Sequence, residues 1–269
     1  MASGWDVTVM GGGIFGLSCA WEMARRGARI RLIEAARIGA GASGGVVGAL
    51  APHAPERWTE VKAFQLDSLL AAESFWAEVA EAGGGDPGYA RSGRLQPVAD
   101  AAALARAQDR ALEAQALWQG RATWRVIPAA EAGAWAPQSL TGWLVADSLS
   151  ARLHPARACA ALAAALRATG AEVVEGGGTP GPEPVIWATG AGGLADLSVD
   201  LGREVGRGVK GQAAVFGLER RDAPQLYADG LHIVPHADGT VAIGSTTERD
   251  FDAPDSTDGQ LDDALARAV

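Results

Sequence analysis

Apolar residues recur along this chain in two rhythms. Val7 and Val9, and later Ile30 and Leu32, alternate with polar neighbours at a strand-like period, while Ala20 and Met23 between them follow a helical one. With Gly27 closing the helix, the pattern predicts strand, helix and strand over the first 33 residues, the crossover unit of a parallel sheet. A long amphipathic helix is expected over 58–82, with Val61, Phe64, Leu66, Leu69, Leu70, Phe75, Trp76 and Val79 as its apolar complement and Gly83-Gly84-Gly85 as its stop. Leu104, Leu112, Leu162 and Leu166 recur at helical spacing inside the alanine-rich stretches 101–116 and 156–168, which therefore read as ordered helices. Pro155 opens the second of these and Thr169-Gly170 end it.

Strands are predicted over 93–98, 124–127, 172–174, 184–187, 209–216 and 231–244, the last folded into a hairpin at Asp238-Gly239. Residues 250–259 are polar and turn-rich, and a helix begins at Gln260. The strand-helix alternation breaks after residue 82 and resumes near residue 150, so the order predicts an α/β first domain interrupted by an α+β insertion built on an antiparallel sheet. The boundaries are 1–82 and 150–200 for the first domain, 83–149 and 201–252 for the second, and 253–269 for a returning helix. No internal repeat and no long linker stands out.

Composition narrows the class. Of 269 residues, 48% are apolar and 20% charged, enough for a sizeable core, and the net charge of −9 leaves no footprint for nucleic acid or an anionic membrane. A small-molecule partner is expected, with homo-oligomerisation left open. Cys19 and Cys159 lie in apolar helices without metal-ligand spacing and are expected to be buried thiols. The first strand begins within a few residues of the N-terminus, and no apolar run reaches membrane-spanning length, which makes the cytoplasm the expected compartment. The nine tryptophans are expected to fill cores and domain contacts. His53 ends a glycine-rich loop and His154 precedes a helix, and neither is expected to act in catalysis.

The chemistry concentrates at Asp6-Val7-Thr8-Val9-Met10-Gly11-Gly12-Gly13-Ile14-Phe15-Gly16, followed by Glu34 at the tip of the second strand. In such a turn Gly11 allows the sharp reversal, Gly13 lets backbone approach a pyrophosphate, and Gly16 lets the helix pack on its strand. The free N–H groups at the helix start suit phosphate, and a carboxylate at position 34 suits ribose hydroxyls while repelling a 2′-phosphate. Residues 39–53 are dominated by small side chains, so something must pack against their backbone. Their N–H groups and the Ser43 hydroxyl suit a pyrophosphate, and the flat backbone suits a ring system; the alternative is a flexible glycine loop. Ala188-Thr189-Gly190 ends an apolar strand at the sheet edge where cofactors of open α/β folds bind.

In this order, these segments, with Val209-Lys210-Gly211-Gln212 and Ile233-Val234-Pro235 through Gly244-Ser245-Thr246, resemble the FAD-dependent amine oxidoreductases of the D-amino-acid oxidase superfamily. The similarity is greatest to the glycine oxidase branch associated with thiamine biosynthesis. The resemblance implies a Rossmann-like FAD-binding domain with an inserted substrate domain. It implies that Gly11, Gly13, Ile14, Phe15 and Gly16 surround the pyrophosphate and Glu34 holds the adenosine ribose. Ala42 and Ser43 would contact phosphate or ribityl oxygen, Val47, Gly48 and Ala49 would lie along the flavin, and Thr189 and Gly190 would complete the site. The implied reaction oxidises the CH–NH bond of glycine, a D-amino acid or a secondary amine to an imine, which hydrolyses to an oxo acid and ammonia. Two readings stand beside it: a D-amino-acid dehydrogenase with an acceptor other than oxygen, and a non-catalytic FAD-binding module. An NAD enzyme fits the first turn but not the 42–43 loop or the Ala-Thr-Gly strand.

The chain departs from the family pattern at the substrate side. His232 stands where a tyrosine is expected and His236 where an arginine is expected, and as a partly protonated pair they would favour a carboxylate. The alternative is that both face solvent. The family's later Gly-x-Arg-Pro segment and the glycine-rich segment that closes over the flavin are not found in these 269 residues.

Overall fold

The computed structural model describes residues 4–268. Strand β1 (Val7–Met10) feeds helix α1 (Ile14–Arg25) and then β2 (Ile30–Ile33), as the alternation requires. After the glycine-rich segment come β3 (Ala49–Leu50) and α2 (Glu60–Gly83). The Thr59 hydroxyl caps α2 by accepting from Lys62 N–H, and Gly84, at φ 66°, takes the left-handed conformation that ends it. Then follow β4 (Arg94–Pro97), α3 (Ala101–Trp118), β5 (Trp124–Pro128), β6 (Trp143–Asp147) and β7 (Ala151–Arg152). The chain returns through α4 (Pro155–Ala168), β8 (Glu172–Val174), β9 (Val185–Trp187) and α5 (Gly190–Asp200). It finishes with β10 (Ala213–Gly217), β11 (Gln225–Ala228), β12 (Leu231–Pro235), β13 (Thr240–Gly244) and α6 (Gly259–Arg267).

Two sheets result. The first is wholly parallel in the order β8-β2-β1-β9, so the carboxyl ends of β1, β2 and β9 open at one edge. One face of it is covered by α1 and α4, with α2 packed beyond α4, and the core joins Val9, Leu17, Trp21, Leu32, Trp76 and Leu162. The alanines of α4 explain how three helices fit there: a side chain on Gly83 would meet the Ala165 backbone nitrogen at 2.6 Å, so α2 and α4 touch almost backbone to backbone.

The second sheet has seven strands in the order β10-β13-β12-β11-β4-β6-β5. It is antiparallel except where β11 pairs β4 in parallel, an exception the hairpin pattern did not foretell. One face packs on α2 and α3 through Leu66, Trp118, Trp124 and Val145, and the other holds Leu95, Leu144 and Leu226. A short β3-β7 pairing links the glycine-rich segment to the chain that returns toward α4.

Several expectations need correction. Val61 and Phe64 are 69% and 77% exposed, because α2 buries the stripe Leu66, Leu69, Trp76 and Val79 and turns its first turns outward. Cys19 is exposed on α1, whereas Cys159 is buried between α4 and the Ser43 carbonyl and burial pushes its thiol up to about 11. Trp143 and Trp187 reach the surface; His154, which as a residue preceding a helix is expected at the surface, is half-buried with its ring 5.3 Å from that of His236. No helix among the described residues is long and apolar enough to cross a membrane.

Candidate functional site

The nucleotide turn is built by contacts that only glycine permits. Gly11 sits at φ 113° with Ala188 O 2.3 Å from where its Cβ would be. A Cβ on Gly16 would lie 2.0 Å from Gly11 O. The first contact seats the turn against the end of β9, and the second presses α1 onto the turn. Glu34 closes the other side: Gly12 N–H donates to its Oε2 (2.6 Å) and Ala36 N–H to its Oε1 (2.9 Å). A hollow of about 140 Å³ remains at the strand tips, lined by Met10, Gly11, Glu34, Gly177, Gly178 and Thr189.

Residues 39–50 are ordered across this edge. Gly39 N–H donates to Gly12 O (3.0 Å), and Ala42–Gly44 form a single 3-10 turn that brings the Ser43 hydroxyl to the start of α1. There Ile14 N–H donates to Ser43 Oγ (2.9 Å). Ile14 and Ser43 are thus brought together, and the hydroxyl occupies the position from which that N–H would greet an anion. The Phe15 side chain points outward, 81% exposed. Gly48, at φ 62°, lies so close to Leu153 that a Cβ would overlap its carbonyl at 1.8 Å, and Leu153 N–H donates back to Gly48 O (3.0 Å).

The antiparallel sheet faces this segment. A Cβ on Gly244 would meet Val47 Cγ2 at 3.0 Å, and the register Ala213↔Gly244↔His232↔Tyr227 puts those four residues in one row across β10, β13, β12 and β11. His232 lies 4.7 Å from the Tyr227 ring, and the Arg94 guanidinium sits 5.7 Å from that ring's centroid. Arg94 is buried and pairs through Nε with Asp147 Oδ2 (3.1 Å); Asp147 also accepts from the Leu149 and Ser150 N–H groups and from the Ser150 hydroxyl. His236 is only 2% exposed, with Nε2 2.9 Å from Val46 O.

Burial corrects the surroundings expected for the two histidines. His236 is buried and His232 half-buried, so the solvent-facing alternative does not hold, and burial disfavours the charged form that the other expectation invoked. Burial, reinforced by the charge of Arg94, holds His232 down at about 4, and burial also lowers His236 against the opposing effect of its bond to Val46. They are neutral imidazoles near pH 7.

The sequence profile of a family described as FAD dependent oxidoreductase (DAO) matches residues 6–269. The chain belongs to this family. Among solved structures, glycine oxidase from Geobacillus kaustophilus superposes with a TM-score of 0.78 at 22% identity, over 98% of this chain and 77% of that one. Iminodiacetate oxidase from Chelativorans sp. gives 0.77 at 20% identity over 97% and 77%, and L-proline dehydrogenase from P. horikoshii gives 0.74 at 17% over 98% and 75%. At these identities the likeness establishes the fold. No curated protein sequence matches the chain.

A DAO-family chain uses FAD, and the residues present fit it: a glycine turn that a Cβ would jam, a carboxylate at the second strand tip, and a hollow between them. Sequence reasoning missed Gly177, Gly178, Arg94 and Tyr227. The glycines stand in a polar, turn-rich run between two predicted strands, and only their lining of the hollow gives them meaning. Arg94 falls in a predicted strand, but its inward direction depends on the pairing with β11, which no local pattern announces.

The buried histidines set a pH dependence. His232 titrates near 6.5 when unfolded and near 4 when folded, so below pH 6.5 the unfolded chain takes up the proton first and stability falls as pH drops toward 4. The loss for His232 is expected to reach about 1–2 kcal/mol by about pH 5. Glu56, Asp238 and Glu248 are held below the usual carboxylate range by their partners, so their losses come at lower pH. Urea unfolding of wild type and His232→Phe at pH 7 and pH 5 checks this: the variant should lose less stability on acidification.

Proposed function

We propose that this DAO-family chain is an amine oxidoreductase acting on glycine, a D-amino acid or a small secondary amine. The observation that supports this is the row of Tyr227, His232 and Gly244, whose Gly244 end meets the Val47 side chain and whose Tyr227 ring has the Arg94 guanidinium beside it. FAD, when bound, supplies the hydride acceptor for oxidation of the carbon that bears the amine.

The protein's own part is to bind and orient. In this reading residues 1–82 and 150–200 hold FAD and 83–149 with 201–252 hold substrate. The Phe15 backbone, the Ser43 hydroxyl with the Ile14 N–H that it now accepts, and the small groups at Gly11, Gly13, Gly16 and Ala42 receive the pyrophosphate. Glu34 keeps lone pairs for the ribose, Thr189 and Gly190 close the strand-tip end, and Val47, Gly48 and Ala49 form the flat wall beside the flavin. His232 Nδ1 is buried and has no hydrogen-bond partner among the described residues, which leaves it for a polar group of the substrate. The Arg94 charge favours a substrate carboxylate and the neutral form of the amine, from which hydride leaves most readily. Support from outside the site is that solved structures of the same fold include glycine oxidase, iminodiacetate oxidase and L-amino acid deaminase.

The test is FAD addition and desalting, followed by anaerobic glycine, sarcosine and a panel of D-amino acids. Retained yellow flavin that bleaches with one of these amines is the expected result. Retention without bleaching by any amine would reduce the chain to an FAD-binding module. A second reading, electron delivery to a quinone or carrier, is favoured by the presence of L-proline dehydrogenase among the structural neighbours. Reoxidation by a quinone, with little oxygen uptake under air, would select it.

A further inference from the structure

Strand β12 runs past Pro235 into His236, whose ring turns inward onto the glycine-rich segment. Its Nε2 lies 2.9 Å from the Val46 carbonyl, and because a carbonyl only accepts, the proton resides on Nε2. The other ring nitrogen, Nδ1, is buried without a hydrogen-bond partner among the described residues. A second buried side chain of the same sheet holds the far end of the segment: Gln225 Nε2 donates to Leu50 O (3.2 Å) and to Ala151 O (3.0 Å). A third tie steadies His236 itself, since Arg152 Nη1 donates to the neighbouring Pro235 carbonyl (2.7 Å).

The stretch Val46-Val47-Gly48-Ala49-Leu50 is therefore held at both ends by sheet side chains, through main-chain carbonyls. Leu50 packs against the core, but Gly48 contributes no side chain and Ala49 only a methyl, so backbone hydrogen bonds have a large share in deciding where the middle of the segment lies. We propose that His236 is a positioning residue for the flavin, fixing the Val47–Ala49 backbone at the height the ring requires by donating from Nε2 to the Val46 carbonyl. The proposal rests on the reading of Val47–Ala49 as the flavin wall. It takes His236 out of the substrate-contacting set and leaves His232 as the histidine that meets substrate. Without the donor, Val46 loses its anchor and the segment has to be ordered by the cofactor at the cofactor's expense.

The test compares FAD affinity and the visible spectrum of bound flavin in wild type, His236→Phe, His236→Gln and Glu34→Ala. His236→Phe keeps an aromatic ring but removes the donor, and should weaken FAD about tenfold and shift the flavin bands. His236→Gln restores an N–H donor and should recover most of both. Equal weakening in the two His236 variants would assign the effect to ring packing and overturn the proposal. Normal affinity and spectrum in His236→Phe, with weakened binding in Glu34→Ala, would overturn it while sparing the cofactor site; normal binding in both would sink the flavin-wall reading as well. Should the variants fail to fold, ¹⁵N-histidine NMR of the wild-type chain decides. An Nε2–H tautomer whose resonances move on FAD addition is expected, and an Nδ1–H tautomer or an unmoved signal would overturn the proposal.

Discussion

Gly16→Ala is expected to abolish FAD retention and to destabilise the fold by about 3 kcal/mol. The added methyl would sit 2.0 Å from Gly11 O, a contact no rotamer can relieve because both atoms belong to backbone or to Cβ. Relief requires α1 to lift from the turn. That movement would drag Leu17 and Ala20, both fully buried, away from Val9 and Leu32. It would also displace Ile14 N–H from Ser43 Oγ, so loss of stability and loss of the phosphate cradle share a cause. Gly41→Ala is the control, since Gly41 has φ −85° and a methyl added there would meet no atom within 4 Å. Urea denaturation with FAD titration should separate the two variants widely; similar stability and affinity would refute the close-approach account of position 16.

Glu34→Ala carries the second large effect, an expected loss of about a hundredfold in FAD affinity with the sheet intact. Both carboxylate oxygens already organise backbone, one at Gly12 N–H and the other at Ala36 N–H, and each charge-assisted bond contributes about 1.5–3 kcal/mol. Removing the side chain leaves the Gly12 N–H without its acceptor inside the turn and takes away the lone pairs meant for ribose. The strand itself stays anchored by Leu32 and Ile33, which are buried independently of Glu34. Glu34→Gln, which retains one acceptor oxygen, should fall between wild type and alanine. Fluorescence titration of FAD decides the matter, and an unchanged dissociation constant in Glu34→Ala would remove Glu34 from the cofactor site.

These expectations differ in how far they could be read from residues alone. The β1-α1-β2 unit follows from local information, because a period change, a glycine turn and a strand-tip carboxylate lie within 34 consecutive residues. Helices α3 and α4 follow from leucine spacing in alanine-rich runs. Strands β3 and β7 escaped because two residues carry no period, and β6 and β11 because what makes them strands is their pairing with β4 and β12. The outward turn of Val61 and Phe64 escaped because a helical period says which residues share a face, and not which turns of the helix find a neighbour.

The sequence by itself determined the parallel-sheet unit, the insertion of an antiparallel sheet, the hairpin at Asp238-Gly239 and the FAD-type glycine turn. The parallel unit, the hairpin and the glycine turn arise from interactions between residues near in the chain, whose geometry the backbone imposes, and the insertion shows as a break in the order of the elements. Tertiary structure alone decided that Arg94, Tyr227 and His232 lie together, that His236 turns onto Val46, and that both histidines are neutral. His236 and Val46 are 190 positions apart, and a pKa depends on the dielectric and charges that distant segments assemble around a ring. Proximity of that kind is a product of packing, and packing is fixed only when the whole chain has folded.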